Sequence, residues 1–414
     1  MPVKKGSIRL TSIRTLLETG YAHFLVQPYL YLLFLLFIFL AYRRLQKLER
    51  ASIGVKVTAI WRDLLFSILI GVLLGVVESV VLRLLQVTFT SLTITWCYAI
   101  SVVLLLIDLR LTTVTYIVAF YGLLQGIGLL VLDVFHMHLP VSMIEFARTM
   151  QPSLLLITGI SSLLGAINFA LVYNSALSPL FIKSRRGQVV GAFYLQKYWP
   201  LAIVTSIGNT FAPFPVIVGF SMIVIGNQPR FMKRNAVFIL LLLGSLSIVG
   251  FILSRYFAEI TWMIALLLGV MQECSYQVIK YRETRKVPHW VKPARGVRVL
   301  STVPGTPAHR LGLTPGDTIV KVGGMTVNST YDIHFAIEQN PAYVKFEVND
   351  AMGEARFLGT AIYEVDPHQL GLIVVPDERV RNYMTIFPYS VGRFVRQWWK
   401  FRQPRVENSQ QAIE

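Results

Sequence analysis

The sequence predicts a polytopic α-helical membrane bundle followed by a small β-rich, α+β domain. Of its 414 residues, 54% are apolar and only 15% are charged, against roughly 25% charged in a soluble domain. The apolar residues cluster in blocks of about twenty, the length that spans a bilayer core. Beyond Pro288 the apolar runs shorten to strand length, and turn residues recur at the spacing of a β-rich domain.

Apolar blocks fall at 24–42, 64–86, 90–109, 111–135, 153–174, 200–225, 236–253 and 260–279, giving seven or eight expected helices. The parts are then a basic segment over 1–23, a multispan region over 24–287, the β-rich domain over 288–380 and a basic, aromatic tail over 381–414. The first block has no small-residue cleavage site and runs straight into Arg43 and Arg44, so a retained span is expected rather than a removed signal peptide. Cys97 and Cys274 both lie in apolar blocks, which excludes a disulfide framework and a paired-cysteine metal site. No cofactor motif is read.

The 39 Lys and Arg against 22 Asp and Glu give a net charge of +17. The excess sits beside the blocks, at Arg43, Arg44, Lys47 and Arg50, at Lys183, Arg185 and Arg186, and at Lys280, Arg282, Arg285 and Lys286. Charge so placed reports orientation rather than nucleic-acid binding. Lys280–Lys286 and the loop with Arg230, Lys233 and Arg234 read as cytoplasmic, which keeps the following domain in the cytosol. The loop with Lys183 wants the same side, yet one block, 200–225, separates it from Arg230, and one span cannot have both ends inside. Asn209, Pro213 and Pro215 within that block suggest a broken or re-entrant element.

In the β-rich part, Gly296–Val303 alternates as a strand and Pro307–Leu311 is a short helix stopped by Gly312. Pro315-Gly316-Asp317 turns into the strand Thr318–Val322, which Gly323-Gly324 reverses into Met325–Val327. Ser329 followed by Asp332 resembles a capping box, opening a helix whose core face is Ile333, Ala336 and Ile337 and whose stop is Asn340-Pro341. Strands Val344–Asn349 and Glu354–Tyr363 flank a turn at Asp350–Gly353.

The run from Gly296 to Gly324, with its strand, small-residue turn, short helix, Gly-Asp and Gly hairpin, resembles the core of a PDZ domain over about 288–380. The resemblance implies binding of an extended peptide as an added strand, with a loop of backbone N–H groups for a terminal carboxylate. That loop, normally Gly-Leu-Gly-Phe, is missing ahead of the core run. A counterpart stands at the other end as Gln369-Leu370-Gly371-Leu372 before Ile373-Val374-Val375, so a circularly permuted domain is expected. Its groove is assigned to Leu370, Gly371, Leu372, Ile373 and Val374 on one wall and, by the family's helix pattern, to Thr330 and His334 on the other. The residue-level alternatives are an ordinary edge strand and a half-exposed helix histidine.

A multispan segment with a single C-terminal PDZ domain ending Ala361-Ile-Tyr-Glu-Val-Asp-Pro-His-Gln-Leu-Gly-Leu-Ile373 resembles the MinJ-like cell-division topology family of Gram-positive rods. That resemblance implies a non-enzymatic scaffold at septum and poles, bridging proteins of the DivIVA type to the MinC–MinD division inhibitor. Composition and spacing alone imply a membrane-anchored peptide-binding module.

The alternative is a PDZ-bearing intramembrane protease or protease regulator. His-Glu-x-x-His is absent, His136 and His138 next to Pro140 read as an interfacial loop, and Gly159-Ile160-Ser161-Ser162 lacks the second Gly of a serine-nucleophile turn. Of the ionisable residues inside the blocks, Arg83, Asp108, Arg110 and Asp133 lie near block ends, leaving Glu78 and Glu273 as deep groups, read as a buried hydrogen bond between helices with a transport role as the alternative. In the tail, Arg393, Arg396 and Lys400 interleave with Trp398, Trp399 and Phe401, a pattern suited to an interfacial helix on anionic lipid, with a helix docking back on the β-rich domain as the rival reading.

Overall fold

A computed structural model describes residues 14–21, 29–134, 136, 140–149, 151–171, 177–184, 186–208, 210–339, 342–350, 353–362, 370–376 and 383–385. Among them, six helices are long and apolar enough to cross a membrane. Five are α1 (Tyr29–Ile53), α2 (Ile60–Leu84), α4 (Val114–Asp133), α6 (Ser153–Leu171) and α7 (Pro229–Tyr256); the sixth is α8 (Thr261–Arg285), entered through a turn of 3₁₀ helix. A shorter apolar helix, α3 (Ser91–Ile107), and the eight-residue α5 (Val141–Arg148) accompany them, with a π-helical turn at Leu16–Gly20 and a 3₁₀ turn at Leu109–Thr112. Thr90 caps α3 by accepting from the Thr93 N–H at 3.2 Å. The first span runs eleven residues past the expected block end at 42, so Arg43, Arg44, Lys47 and Arg50 stand on the helix itself.

The block 200–225 is neither a helix nor a broken helix. It belongs to a β-meander inserted among the helices, β1 (Leu177–Lys183), β2 (Val189–Ile207) and β3 (Thr210–Val224), paired antiparallel in that order, with β2 and β3 forming a long hairpin. Phe193 pairs with Val224 at one end and Ile207 with Thr210 at the other, so the hairpin enters and leaves at the same end of the bundle. This removes the charge conflict. Lys183 and Arg230 share an end because two strands, not one span, lie between them.

Backbone polar groups away from water need partners, which makes a sheet edge inside a membrane costly. The pairs Pro200–Ile217, Ala202–Pro215 and Val204–Pro213 turn their backbone N–H and C=O positions away from each other, and the three prolines bring no N–H there. Four of the groups that remain are taken up by distant residues. The Val204 N–H donates to Ser79 Oγ at 2.8 Å, Tyr21 to the Ala202 carbonyl at 3.0 Å, Tyr31 to the Pro200 carbonyl at 3.2 Å and Tyr98 to the Pro213 carbonyl at 2.9 Å. The Phe89 N–H reaches the Ser206 carbonyl at 2.9 Å.

Helix α2 fits this edge by periodicity. Gly71, Gly75, Ser79 and Arg83 recur every four residues, about 6 Å along a helix, while Pro200, Ala202, Val204 and Ser206 recur every two, about 6.6 Å along a strand. The two stripes stay in step. A Cβ at position 71 would lie 2.1 Å from the Pro200 carbonyl oxygen, and one at position 75 would lie 2.5 Å from Ala202 N. Only glycine permits that approach.

Ionisable groups of the bundle fall into separate pairs. Glu78 is fully buried and accepts from Ser161 at 2.7 Å. Glu273 lies elsewhere, in a bridge to Arg110 at 3.0 Å and a 2.6 Å hydrogen bond from Tyr116. Arg110, expected to reach water from a block end, is instead only 18% exposed and stacks 3.8 Å from the Tyr276 ring centroid. The buried Glu283 carboxylate accepts from the Ile225 and Gly226 N–H groups, both at 3.1 Å, and so ties the end of α8 to the turn after β3.

Candidate peptide-binding edge

Beyond α8, a six-stranded sheet forms from β4 (Val297–Thr302), β5 (Thr318–Val322), β6 (Met325–Thr326), β7 (Tyr343–Asn349), β8 (Ala355–Ala361) and β9 (Leu372–Val374). Its order is β8-β7-β5-β4-β9, with β6 on β5. Two helices complete the domain, α9 (Pro307–Arg310) and α10 (Thr330–Gln339). Val299, Ile319, Val322, Ile333, Ala336, Phe346 and Val348 form its core, each at most 3% exposed. Asp317 of the Gly-Asp turn is buried and holds the fold, accepting from Thr314 N at 2.9 Å and from Arg356 at 2.8 Å.

The C-terminal strand β9 pairs antiparallel with β4 and ends the sheet. The Val303 N–H donates to the Gly371 carbonyl at 2.8 Å and the Val375 N–H to the Arg298 carbonyl at 2.9 Å. These bonds lie on either side of the pairs Leu372–Thr302 and Val374–Val299. By antiparallel alternation, Leu372 and Val374 therefore turn their own N–H and C=O groups outward, away from β4. Among the described residues no strand covers that edge.

The loop ahead of the strand is set by Leu370 and Gly371. The Leu370 carbonyl accepts from the Ala308 N–H at 3.0 Å, at the start of α9. Gly371 has φ +74°, and a Cβ there would meet Thr306 Oγ1 at 2.2 Å. Both facts demand glycine.

Helix α10 begins with the expected capping box. Asp332 accepts from the N–H groups of Asn328 at 2.8 Å and Ser329 at 3.0 Å, while Ser329 Oγ accepts from the Asp332 N–H at 3.2 Å. These bonds, the one from Asn328 first, hold the Asp332 carboxyl below the ordinary carboxylate range. Ile333 and Ala336 enter the core, and Thr330 and His334 are exposed. Leu370, Leu372, Val374 and Ile337 pack on the same core as Ile333, so both assigned walls rest on one cluster.

Ile373 departs from its neighbours. Its side chain turns to the opposite face, where Ile373, Val375, Leu300 and Trp290 pack with Phe193, Leu195, Met222 and Val224 of the membrane hairpin. The sequence reading missed this contact. Its one local signal was the pair Trp290-Val291 in a basic, proline-rich connector. Gln369 and the tail residues Arg393, Arg396, Trp398, Trp399, Lys400 and Phe401 lie outside the described residues.

Residues 298–348 match the PDZ domain family. With the apolar helices, that match defines the class: a multispan membrane protein with a PDZ domain in its C-terminal part. Over most of its length the chain is similar to the cell division topological determinant MinJ of Bacillus subtilis, with 27% identity over 389 residues covering 86% of this chain and 94% of that one. A MinJ from Lacticaseibacillus paracasei is 38% identical over 84 residues, 20% of this chain and 23% of its own. HhoB of Synechocystis, named as a serine protease, matches over 57 residues at 39% identity, 14% of each chain. The long match is to a topological determinant of cell division, and the match to a protease is short. The chain is MinJ-like, and this similarity supports a division-site scaffold.

Proposed function

We propose that the chain is a non-enzymatic membrane scaffold that recruits division site-selection proteins by strand addition at β9. The observation that carries this reading is the edge on which Leu372 and Val374 direct main-chain N–H and C=O groups outward. An added strand gains main-chain hydrogen bonds, each worth a net ~0.5–1.5 kcal/mol, and the apolar side chains of Leu372 and Val374 supply the floor. Through this edge the scaffold bridges a pole- and septum-marking protein of the DivIVA type to a MinC–MinD type inhibitor. Val374→Pro removes one outward N–H, so it should abolish recruitment of fluorescent MinD-type fusion to the septum while the chain stays membrane-inserted. Normal recruitment by the folded variant would reject the edge as the binding surface.

The PDZ domain faces the cytoplasm in this reading. Arg43, Arg44, Lys47, Arg50, Lys183, Arg186, Arg230, Lys233, Arg234, Arg282, Arg285 and Lys286 all stand at the end where the hairpin opens and the domain docks, which supports that side. With exposed Cys274 replaced by serine, a cysteine at exposed Thr326 should resist an impermeant thiol reagent in intact cells and react after lysis. The tail adds affinity for anionic lipid, and Trp398→Ala with Trp399→Ala should weaken it in a vesicle-binding assay.

A further inference from the structure

Strand β9 is three residues long and bonded to β4 on one side only among the described residues. Such an edge has little stability of its own. Its two faces pack differently: Leu372 and Val374 rest on the PDZ core, whereas Ile373 and Val375, 3% and 5% exposed, are covered from the membrane side. The cover is the hairpin, through Phe193, Leu195, Met222 and Val224, with Trp290 and Leu300 between.

The chain is fastened to that hairpin on both sides of the domain. Before β4, Gly191 N–H donates to the Trp290 carbonyl at 2.9 Å and His289 N–H to the Ile225 carbonyl at 3.0 Å. After β9, the short strand β10 (Met384–Thr385) pairs in parallel with β1 at Ile182 and Lys183. The hairpin thus holds the entry, the exit and one face of the strand whose other face lines the groove.

We propose that the membrane hairpin braces β9 and thereby sets the partner affinity of the PDZ groove, so that residues in the membrane region control peptide binding they never touch. This rests on the reading of β9 as the binding edge. Two states follow. Docked, β9 keeps its register and presents its outward N–H groups in a fixed row. Undocked, Ile373 and Val375 would face water and the strand would fray. By linkage, a partner that binds only the ordered strand tightens the docking by the same factor.

The test uses the full chain in its membrane. A Cβ at Gly191 would meet Leu300 Cδ1 at 2.9 Å and Trp290 Cβ at 3.1 Å, so Gly191→Val wedges the domain off the hairpin without altering a PDZ residue. Phe193→Ala loosens the same contact more gently. Both variants should speed amide hydrogen exchange at Ile373 and Val375, whose N–H groups face β4, while β5 and β7 stay protected, and should weaken recruitment of the MinD-type fusion about tenfold, the equivalent of about 1.4 kcal/mol. Unchanged exchange at Ile373 and Val375 in both variants would overturn the bracing. So would normal recruitment by both variants alongside its loss in Val374→Pro, with the groove reading left standing. Normal recruitment by Val374→Pro would sink the groove reading itself.

Discussion

The membrane hairpin and the PDZ sheet handle their edges in opposite ways. Along β2 and β3, three prolines withhold donors, and Ser79, Tyr21, Tyr31 and Tyr98 take up four of the outward groups that remain. Along β9, the corresponding groups of Leu372 and Val374 point where no described strand lies. The difference follows from the solvent. An unpaired peptide group costs several kcal/mol in hydrocarbon, while in water it is hydrated until a partner strand replaces the water. An edge can be held ready for binding only outside the membrane.

The largest expected effect is on the closed edge. Gly75→Leu would place a Cβ 2.5 Å from Ala202 N and 2.6 Å from Ala202 C, both rigid backbone atoms. A loss of about 3 kcal/mol or more is expected, read as failure to recover folded, protease-resistant protein from membranes. A stable variant would mean that α2 and β2 can separate without unfolding the bundle.

Next comes Gly371→Ala, which combines the positive φ with the contact to Thr306. Strain of about 1–3 kcal/mol should fall on the PDZ domain alone, seen as faster proteolysis after residue 288 with the helices still protected. Ser79→Ala removes the acceptor of a buried Val204 N–H and should cost about 1–3 kcal/mol in thermal stability in detergent. If Ser79→Ala proved silent, the closed edge would not depend on its hydroxyl partner.

The smallest effects are expected at α10. Ser329→Ala should cost about 1 kcal/mol of PDZ stability through loss of the cap. Asp332 has a depressed folded pKa, so its contribution is present above the unfolded value near 4 and is lost as pH falls through the folded value. Acid titration should therefore destabilise the parent domain more than Asp332→Asn below about pH 4. Parallel titration curves would remove the carboxylate from the cap.

Much of the fold could be read locally. Blocks of about twenty apolar residues mark spans because bilayer thickness sets helix length. The PDZ part announced itself through residues with backbone roles: Gly312, Gly316, Gly323 and Gly324 all take positive φ, and Ser329 and Asp332 form the expected cap. The strand that follows the core run was legible as well, from Leu370-Gly371-Leu372 ahead of Ile373-Val374-Val375.

Local sequence was enough for the apolar helices other than the block 200–225, for the order of the two parts and for the turn and cap chemistry, because each depends on the length of a run or on a residue's own backbone preference. The tertiary structure decided the rest. An apolar run such as 200–225 satisfies strand and helix alike, and periodicity cannot choose between them. The choice fell to partners far away in the chain: glycines at 71 and 75 that admit a backbone, a serine at 79 and tyrosines at 21, 31 and 98 that satisfy it. Arg110 and Glu273 were likewise legible as charges but not as a pair. The two faces of β9 belong to the same category, since which core each side chain enters depends on what packs above and below the sheet.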